Sequence, residues 1–288
     1  MFLTINSTAS LKEFLKEQKK SGKKIGFVPT MGALHQGHLS LVEKSCIDCD
    51  VTVVSIFVNP TQFNDKSDYN RYPRIPEKDF DLLAKTKCDV VFLPSADEMY
   101  PDGLNNIEIP SIEQIDKVLE GSKRPGHFDG VITIVKKLFD IVEPDKAFFG
   151  QKDYQQCLVI KKMTKAFNLD IEIVVCPIIR ENDGLAMSSR NMLLNDEERR
   201  FAPKIYQSLK TAQEMLKNHS IEEIKNQVTS FLSTAPFVKI DYFEIVDANN
   251  LKAIKSISNY KEVVICTAIF VGKIRLIDNI LVNLEYVY

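Results

Sequence analysis

Ile25-Gly26-Phe27-Val28-Pro29-Thr30-Met31-Gly32-Ala33-Leu34-His35-Gln36-Gly37-His38 runs from a short apolar stretch, through a turn holding two glycines, into the amphipathic segment Leu39-Ser40-Leu41-Val42. An apolar run, a glycine-bearing loop and a helical stripe in that order read as a buried strand feeding a helix. The pattern recurs. Apolar runs at 51–58, 90–93, 147–149 and 171–175 are separated by segments of helical character such as 39–46, 79–87 and 153–167. Strands of this kind alternating with helices predict an α/β, Rossmann-like fold: a parallel sheet with helices on both faces. In such a sheet ligands bind beyond the carboxyl ends of the strands, so the loops directly after them carry the chemistry.

Upstream, Ser10 followed by Glu13 has the form of a capping box, and Leu11, Phe14 and Leu15 share a face, predicting a helix that ends at Ser21-Gly22. Past Pro177 the pattern changes. Asn195 can cap a helix through Asp196-Glu197-Glu198, a second helix follows from about Ile221, and strands are predicted at 239–246, 262–271 and 274–282. The expected division is therefore a Rossmann-like domain at 1–176 and a smaller C-terminal α+β domain at 177–288.

Composition narrows the function. Lys plus Arg number 37 against 39 Asp plus Glu, a formal charge of -2, which offers no basic excess for a nucleic-acid backbone. The early polar residues Thr4 and Asn6 break any signal-peptide core, and no uncharged apolar stretch is long enough to span a membrane. Six cysteines, several inside apolar runs such as Val174-Val175-Cys176, read as free thiols of a reducing compartment, so the expected setting is cytoplasmic.

Two of the four histidines lie in the first loop, His35 and His38. Gly32 and Gly37 have P-loop spacing, but His38-Leu39 stands where Lys-Ser/Thr is required, which rejects a Walker site. What remains is a helix N-terminus with unpaired N–H groups and two imidazoles able to donate to phosphate oxygens. The same His-x-x-His also reads as ordinary turn and cap residues, or as two ligands of a metal that would need a third. Asn59-Pro60-Thr61-Gln62-Phe63, after the second strand, supplies amides for a hydroxylated ligand with Phe57 and Phe63 for an alkyl group, or is simply a turn with satisfied amides. Gly150-Gln151-Lys152-Asp153 follows another strand and puts Lys152 where a phosphate cation is useful, although a lysine at a helix start is commonly just solvated. The polar stretch 180–191 pairs Ser188 and Ser189 with Arg190, apt for a polyphosphate if it is more than a linker. Glu120-Gly121-Ser122-Lys123-Arg124-Pro125-Gly126-His127-Phe128 reads as a loop, followed at helical spacing by Val131, Val135, Leu138 and Val142. Cys46-x-x-Cys49 lacks the second pair that a structural zinc needs.

Taken in chain order, Pro29-Thr30-Met31-Gly32 with His35-Gln36-Gly37-His38, 57–63, Tyr72-Pro73-Arg74, Arg124-Pro125-Gly126-His127-Phe128, 150–156 and Met187-Ser188-Ser189-Arg190-Asn191 resemble the pantothenate synthetase (pantoate-beta-alanine ligase) family. The His-x-Gly-His element also resembles the signature of the wider nucleotidylyltransferase and class I aminoacyl-tRNA synthetase superfamily, and Met187-Ser188-Ser189-Arg190 its mobile phosphate-binding loop. The resemblance implies a ligase that adenylates pantoate with ATP and lets beta-alanine attack the pantoyl adenylate, giving pantothenate, AMP and pyrophosphate. It implies His38, His35 and Lys152 as catalytic residues. It implies an ATP site from Met31, Gly32, Ala33, Leu34, His35, Gln36, Gly37 and His38, with Gly150, Gln151, Lys152, Asp153, Ile179, Met187, Ser188, Ser189 and Arg190. Gln62 and Gln156 would hold pantoate, Gln62 also lying near beta-alanine. Gln151 stands where the family commonly has Glu. Mg2+ is expected with ATP, its protein ligands unassigned and Asp79 only a candidate; a homodimer, a C-terminal domain acting as a lid, and no nucleic-acid or membrane partner are implied as well. A nucleotidylyltransferase that stops after nucleotide transfer explains His35 and His38 but not Gln62 and Gln156 in their contexts, and a noncatalytic nucleotide-binding module explains the same glycines and histidines.

Overall fold

Strand β2 (Ile25–Thr30) is buried along nearly its whole length, and alternate side chains serve opposite faces. Phe27 meets Phe139 edge-on at 6.3 Å, and Phe139 meets Phe149 at 6.4 Å. One residue along each strand, Val28 and Phe148 point the other way and join Leu39 and Val42 in a second cluster. Helix α2 (Gln36–Asp48) therefore covers one face and α7 (His127–Val142) the other. Each aromatic buried in these layers contributes on the order of 3–5 kcal/mol against truncation to alanine.

The structure, a computed structural model, describes residues 2–63, 66–104 and 107–286. The remaining strands of this sheet are β1 (Leu3–Ile5), β3 (Val51–Ile56), β4 (Val90–Phe92), β5 (Lys146–Gly150) and β6 (Glu172–Cys176). Their order is β1-β4-β3-β2-β5-β6, and every pairing is parallel. The chain fills one side of β2 with β3 and β4, then crosses to the other side for β5. The sheet thus reverses direction between β2 and β5, the point at which α/β sheets open a ligand crevice. The intervening helices are α1 (Thr8–Lys20), α3 (Lys66–Arg71), α4 (Pro76–Leu83), α5 (Ala96–Met99), α6 (Leu119–Lys123) and α8 (Tyr154–Ala166).

The parallel sheet has one strand more than the apolar runs predict. β1 is only three residues long and Thr4 interrupts it, so it carries no periodic signal; its pairing with β4, Leu3 to Val90, places it. The first helix is capped by Ser7, whose Oγ accepts the Ser10 amide, and not by Ser10.

Two compact units divide the chain: residues 1–151 with 155–177, and 152–154 with 178–288. The second holds α9 (Asp196–Phe201), α10 (Lys204–Met215) and α11 (Ile221–Leu232), then an antiparallel sheet of β7 (Val238–Asp247), β8 (Glu262–Val271) and β9 (Ile274–Asn283). Asn195 makes the expected capping box with Glu198. Helix α10, which sequence reading passes over, buries Ile205, Leu209 and Ala212 against the core that Ile224, Val228, Ile265 and Ile269 share.

Candidate active site

The loop leaving β2 is bent by one buried acid. Gly32 (φ 76°) and Ala33 (φ 49°) are both left-handed, a conformation that costs a residue with a Cβ roughly 1–2 kcal/mol. Asp79, on α4 and only 1% exposed, offsets the cost by accepting the Ala33 amide at 2.9 Å and the Leu34 amide at 2.7 Å. Burial pushes its carboxyl above the ordinary aspartate value, and the two amide bonds pull it back. A Cβ at residue 32 would lie 2.9 Å from Asp79 Oδ2, so the corner requires glycine both for its φ and for the close approach.

The corner delivers His35 to the N-cap of α2. His35 Nδ1 accepts the Gly37 amide at 3.1 Å, and His38 Nδ1 accepts the His35 amide at 3.3 Å, a reciprocal capping box built from two imidazoles. Their ring centroids are 4.1 Å apart. Because each Nδ1 is an acceptor, each neutral ring carries its proton on Nε2. The pair is thus arranged as two Nε2–H donors at a positive helix end.

Across the switch point, β5 ends at Gly150, whose carbonyl accepts the Cys157 thiol at 3.3 Å, and Gln151 follows. Gln156 lies half-buried in the first turn of α8. Its neighbour Gln155 is buried and holds the 115–120 segment, donating to the Ile115 and Val118 carbonyls and accepting the Glu120 amide.

After β3, Asn59 is 1% exposed and fully engaged. Its Oδ1 accepts from Tyr100 (2.7 Å) and Thr61, and its Nδ2 donates to Gln62 Oε1 (3.2 Å) and the Gly130 carbonyl (3.1 Å). Gln62 Nε2 in turn reaches the Met31 sulfur at 3.1 Å. The amide motif and the histidine loop are therefore tied directly, with Phe63 edge-on to Tyr69 and Tyr72 beside them. Sequence reading singles out Gln62 but gives Asn59 no part in fixing it, and it offers Asp79 only as a metal ligand.

In the second unit, the stretch 180–191 is a built hairpin. Arg180 and Ala186 form an antiparallel bridge, and the Glu181 amide donates to the Leu185 carbonyl. Gly184 (φ 92°) makes the turn. Arg180 forks onto buried Asp278 at 2.6 and 2.9 Å and lies 3.7 Å over the Tyr206 ring. Burial pushes the Asp278 carboxyl up, and the guanidinium pulls it back. Arg199 bridges Asp183 and Glu181, 2.6 Å to each. Ser188 caps the short helix Ser189–Leu193 by accepting the Arg190 amide, and the Met187 amide donates to the Ile179 carbonyl. Lys152 belongs here too: Asn279 Nδ2 donates to its carbonyl at 3.0 Å, and a small cavity is lined by Lys152, Ala186, Ser188, Asn191 and Asp278. Lys152 Nζ lies 4.0 Å from Asp153.

Each predicted residue thus falls into one of two groups. Met31 to His38, Gln62, Gly150, Gln151 and Gln156 sit in the first unit; Lys152, Asp153, Ile179 and Met187 to Arg190 sit in the second. A cleft of about 650 Å³ lies at the opposite, amino-terminal edge of the parallel sheet, rimmed by Lys19, Glu143 and Asp145. Lys19 and Glu143 already pair there at 2.9 Å, and it is the wrong edge for ligand chemistry in this architecture. Among the described residues no three His, Cys, Asp or Glu side chains group so as to hold a metal ion, and no helix is long and apolar enough to cross a membrane.

A family profile described as pantoate-beta-alanine ligase matches residues 3–281. A curated pantothenate synthetase of Fervidobacterium nodosum is 50% identical over 97% of this chain and 98% of its own. The crystal structure of pantothenate synthetase from Thermus thermophilus is 38% identical and superposes with a TM-score of 0.90, covering 97% of this chain and 99% of that one. A pantoate-beta-alanine ligase from Francisella tularensis, crystallised with beta-gamma ATP and beta-alanine, is 39% identical with a TM-score of 0.81, covering 98% of each chain.

Proposed function

The chain belongs to the pantoate-beta-alanine ligase family, and from that premise we propose how its residues carry the reaction. The enzyme joins pantoate to beta-alanine at the expense of ATP. A pantoate carboxylate oxygen attacks the α-phosphorus of ATP and pyrophosphate leaves; the beta-alanine amine then attacks the acyl carbon of pantoyl adenylate and AMP leaves. Both nucleophiles are substrates, so the protein needs no nucleophilic side chain and contributes positioning and electrostatics.

The observation that carries this reading is the imidazole pair capping α2, in the loop whose Met31 is in contact with Gln62. Two Nε2–H donors at the positive end of a helix suit the negative charge that builds on phosphate oxygens during adenylation, and an amide held by Asn59 suits the hydroxyls of pantoate. Met31 and Phe63 offer apolar surface for its gem-dimethyl group. In this assignment Met31 to His38, Gly150 to Asp153, Ile179 and Met187 to Arg190 bind ATP. His38, His35 and Lys152 stabilise the transferring phosphates, and Gln62 and Gln156 hold pantoate. Gln151 contributes a neutral amide.

Mg2+ belongs to the reading as a companion of the ATP phosphates, whose negative charge it would help neutralise during adenylation. Asp79 does not fit it: both of its oxygens accept backbone N–H groups inside the protein. The homodimer rests on the family likeness, and light scattering tests it against the 32.8 kDa monomer. The six free thiols support a reducing, cytoplasmic setting.

Pantoate-dependent exchange between ATP and pyrophosphate is the deciding experiment. Exchange only with pantoate supports the ligase. Exchange with another acceptor would favour a simple nucleotidylyltransferase, and none at all a noncatalytic nucleotide binder.

A further inference from the structure

Arg124-Pro125-Gly126-His127-Phe128 stands out in the sequence yet has no part in the reaction as derived above. We infer that His127 is a positioning residue for pantoate: it grips the main chain of Gln62 and so fixes where the Gln62 amide meets the substrate. The inference rests on the reading that Gln62 holds pantoate.

His127 begins α7, is 7% exposed, and places Nδ1 2.8 Å from the Gln62 carbonyl. Arg124 Nη1 lies 3.1 Å from the other ring nitrogen, Nε2. A guanidinium can only donate, so Nε2 accepts and the ring proton sits on Nδ1, where it donates to the carbonyl. Residue 62 ends the three-residue helix Pro60–Gln62, and a carbonyl at that position lies beyond the helix's own hydrogen bonds. His127 supplies its donor from 65 residues away.

The rest of α7 closes on the same turn. A Cβ at Gly130 would stand 2.5 Å from the Thr61 carbonyl oxygen and 2.7 Å from Gln62 Cα, so the helix backbone touches the turn directly. Asn59 Nδ2 links the Gly130 carbonyl to Gln62 Oε1. Main chain and side chain of Gln62 are therefore both referred to α7, the main chain through His127.

The test compares substitutions that move one donor. In His127→Asn the amide nitrogen takes the place of Nδ1; in His127→Gln it reaches toward the Nε2 position; His127→Ala removes it. For the full-length enzyme we expect His127→Asn to keep the pantoate KM within about threefold of wild type, with His127→Gln and His127→Ala raising it about tenfold, at an unchanged ATP KM. A general loss of fold would affect the Asn and Gln variants alike and raise both KM values, and melting curves taken in parallel report it. Equal behaviour of Asn and Gln, a parallel rise in the ATP KM, or no change in His127→Ala overturns the inference. Gln62→Ala separates the two levels: if it leaves the pantoate KM untouched, the assignment of Gln62 fails and this inference with it. If Gln62→Ala raises that KM while the His127 variants do not, only the inference falls.

Discussion

Asp79 Oδ1 accepts the Leu34 amide at 2.7 Å across 45 residues of sequence. That contact, with its twin to Ala33, converts the end of a strand into the sharp corner that sets His35 at the head of α2. The shape of the histidine loop is thus held from another helix.

Removing the pin has a defined cost. Asp79→Ala leaves two buried amides without an acceptor, each worth about 1–3 kcal/mol, and Asp79→Asn turns an NH2 group toward one of them. Both variants should melt earlier and lose ATP–pyrophosphate exchange by more than tenfold, on the order of the effect of displacing positioned donors. Wild-type exchange in a folded Asp79→Ala enzyme would show that the loop holds its own shape.

The same carboxyl gives a pH signature. Burial holds its pKa above the ordinary aspartate value, so the folded protein takes up that proton more readily than the unfolded chain. Stability linked to Asp79 is then full below the ordinary value and lost as pH rises through the raised one. Relative to Asp79→Asn, wild type should lose stability over that window in urea unfolding run from about pH 3 to about pH 7. A slope of the opposite sign would mean that the amide bonds outweigh burial.

His38→Ala should lower the rate of adenylation by roughly a hundred- to thousandfold, the usual effect of deleting one preorganised donor, with a smaller change in the pantoate KM. Nitrogen-15 NMR should find both His35 and His38 protonated on Nε2 when neutral. A ring protonated on Nδ1 would break the reciprocal cap and remove the basis for this role.

The hairpin at 180–191 should gain hydrogen-exchange protection when ATP binds, and Ser188→Ala with Ser189→Ala should weaken ATP binding. Its own order has an acid limit. Burial raises the Asp183 pKa, but the bonds from Arg199 and the Leu185 amide outweigh it and hold the carboxyl below its ordinary value. The stability it lends is present above the ordinary value and lost as pH falls through the lowered one, so protection of the free protein should decay on that side only. Loss on the alkaline side, or equal exchange with and without ATP, would make the segment a plain connector.

Burial pushes the Cys49 thiol up to about 11 and the Cys88 thiol up to about 12, and raises Cys46 and Cys176 as well. At pH 8 the Cys49 thiolate fraction is on the order of one in a thousand, so thiol reagents should react slowly. Activity should survive zinc chelation with Mg2+ in excess. Rapid modification of the folded protein, or unfolding on chelation, would return Cys46 and Cys49 to consideration as a metal pair.

What is readable in the sequence follows the range of the interactions. Strands buried on both faces and the Asn195 cap act over a few residues and announce themselves. β1 does not, because three residues held by pairing with β4 leave no period. The true cap Ser7 is hidden by a better-looking Ser10 three residues on. In the site, His35, His38 and Gln62 are marked by their motifs. Asp79 and His127 are also singled out in sequence, but not as their supports: the contacts span 45 and 65 residues, and only folding brings them within reach.

Lys152, Asp153 and Tyr154 are lodged with the C-terminal unit although residues on either side of them belong to the N-terminal one. Asn279 holds the Lys152 carbonyl, and the Tyr154 hydroxyl donates to the Ala248 carbonyl at 2.8 Å. A chain cut after Pro177 would keep these three residues and lose the partners of both contacts. An exchange of the C-terminal half made at Pro177 would therefore leave the 152–154 splice behind, parted from the side chain and the carbonyl that hold it.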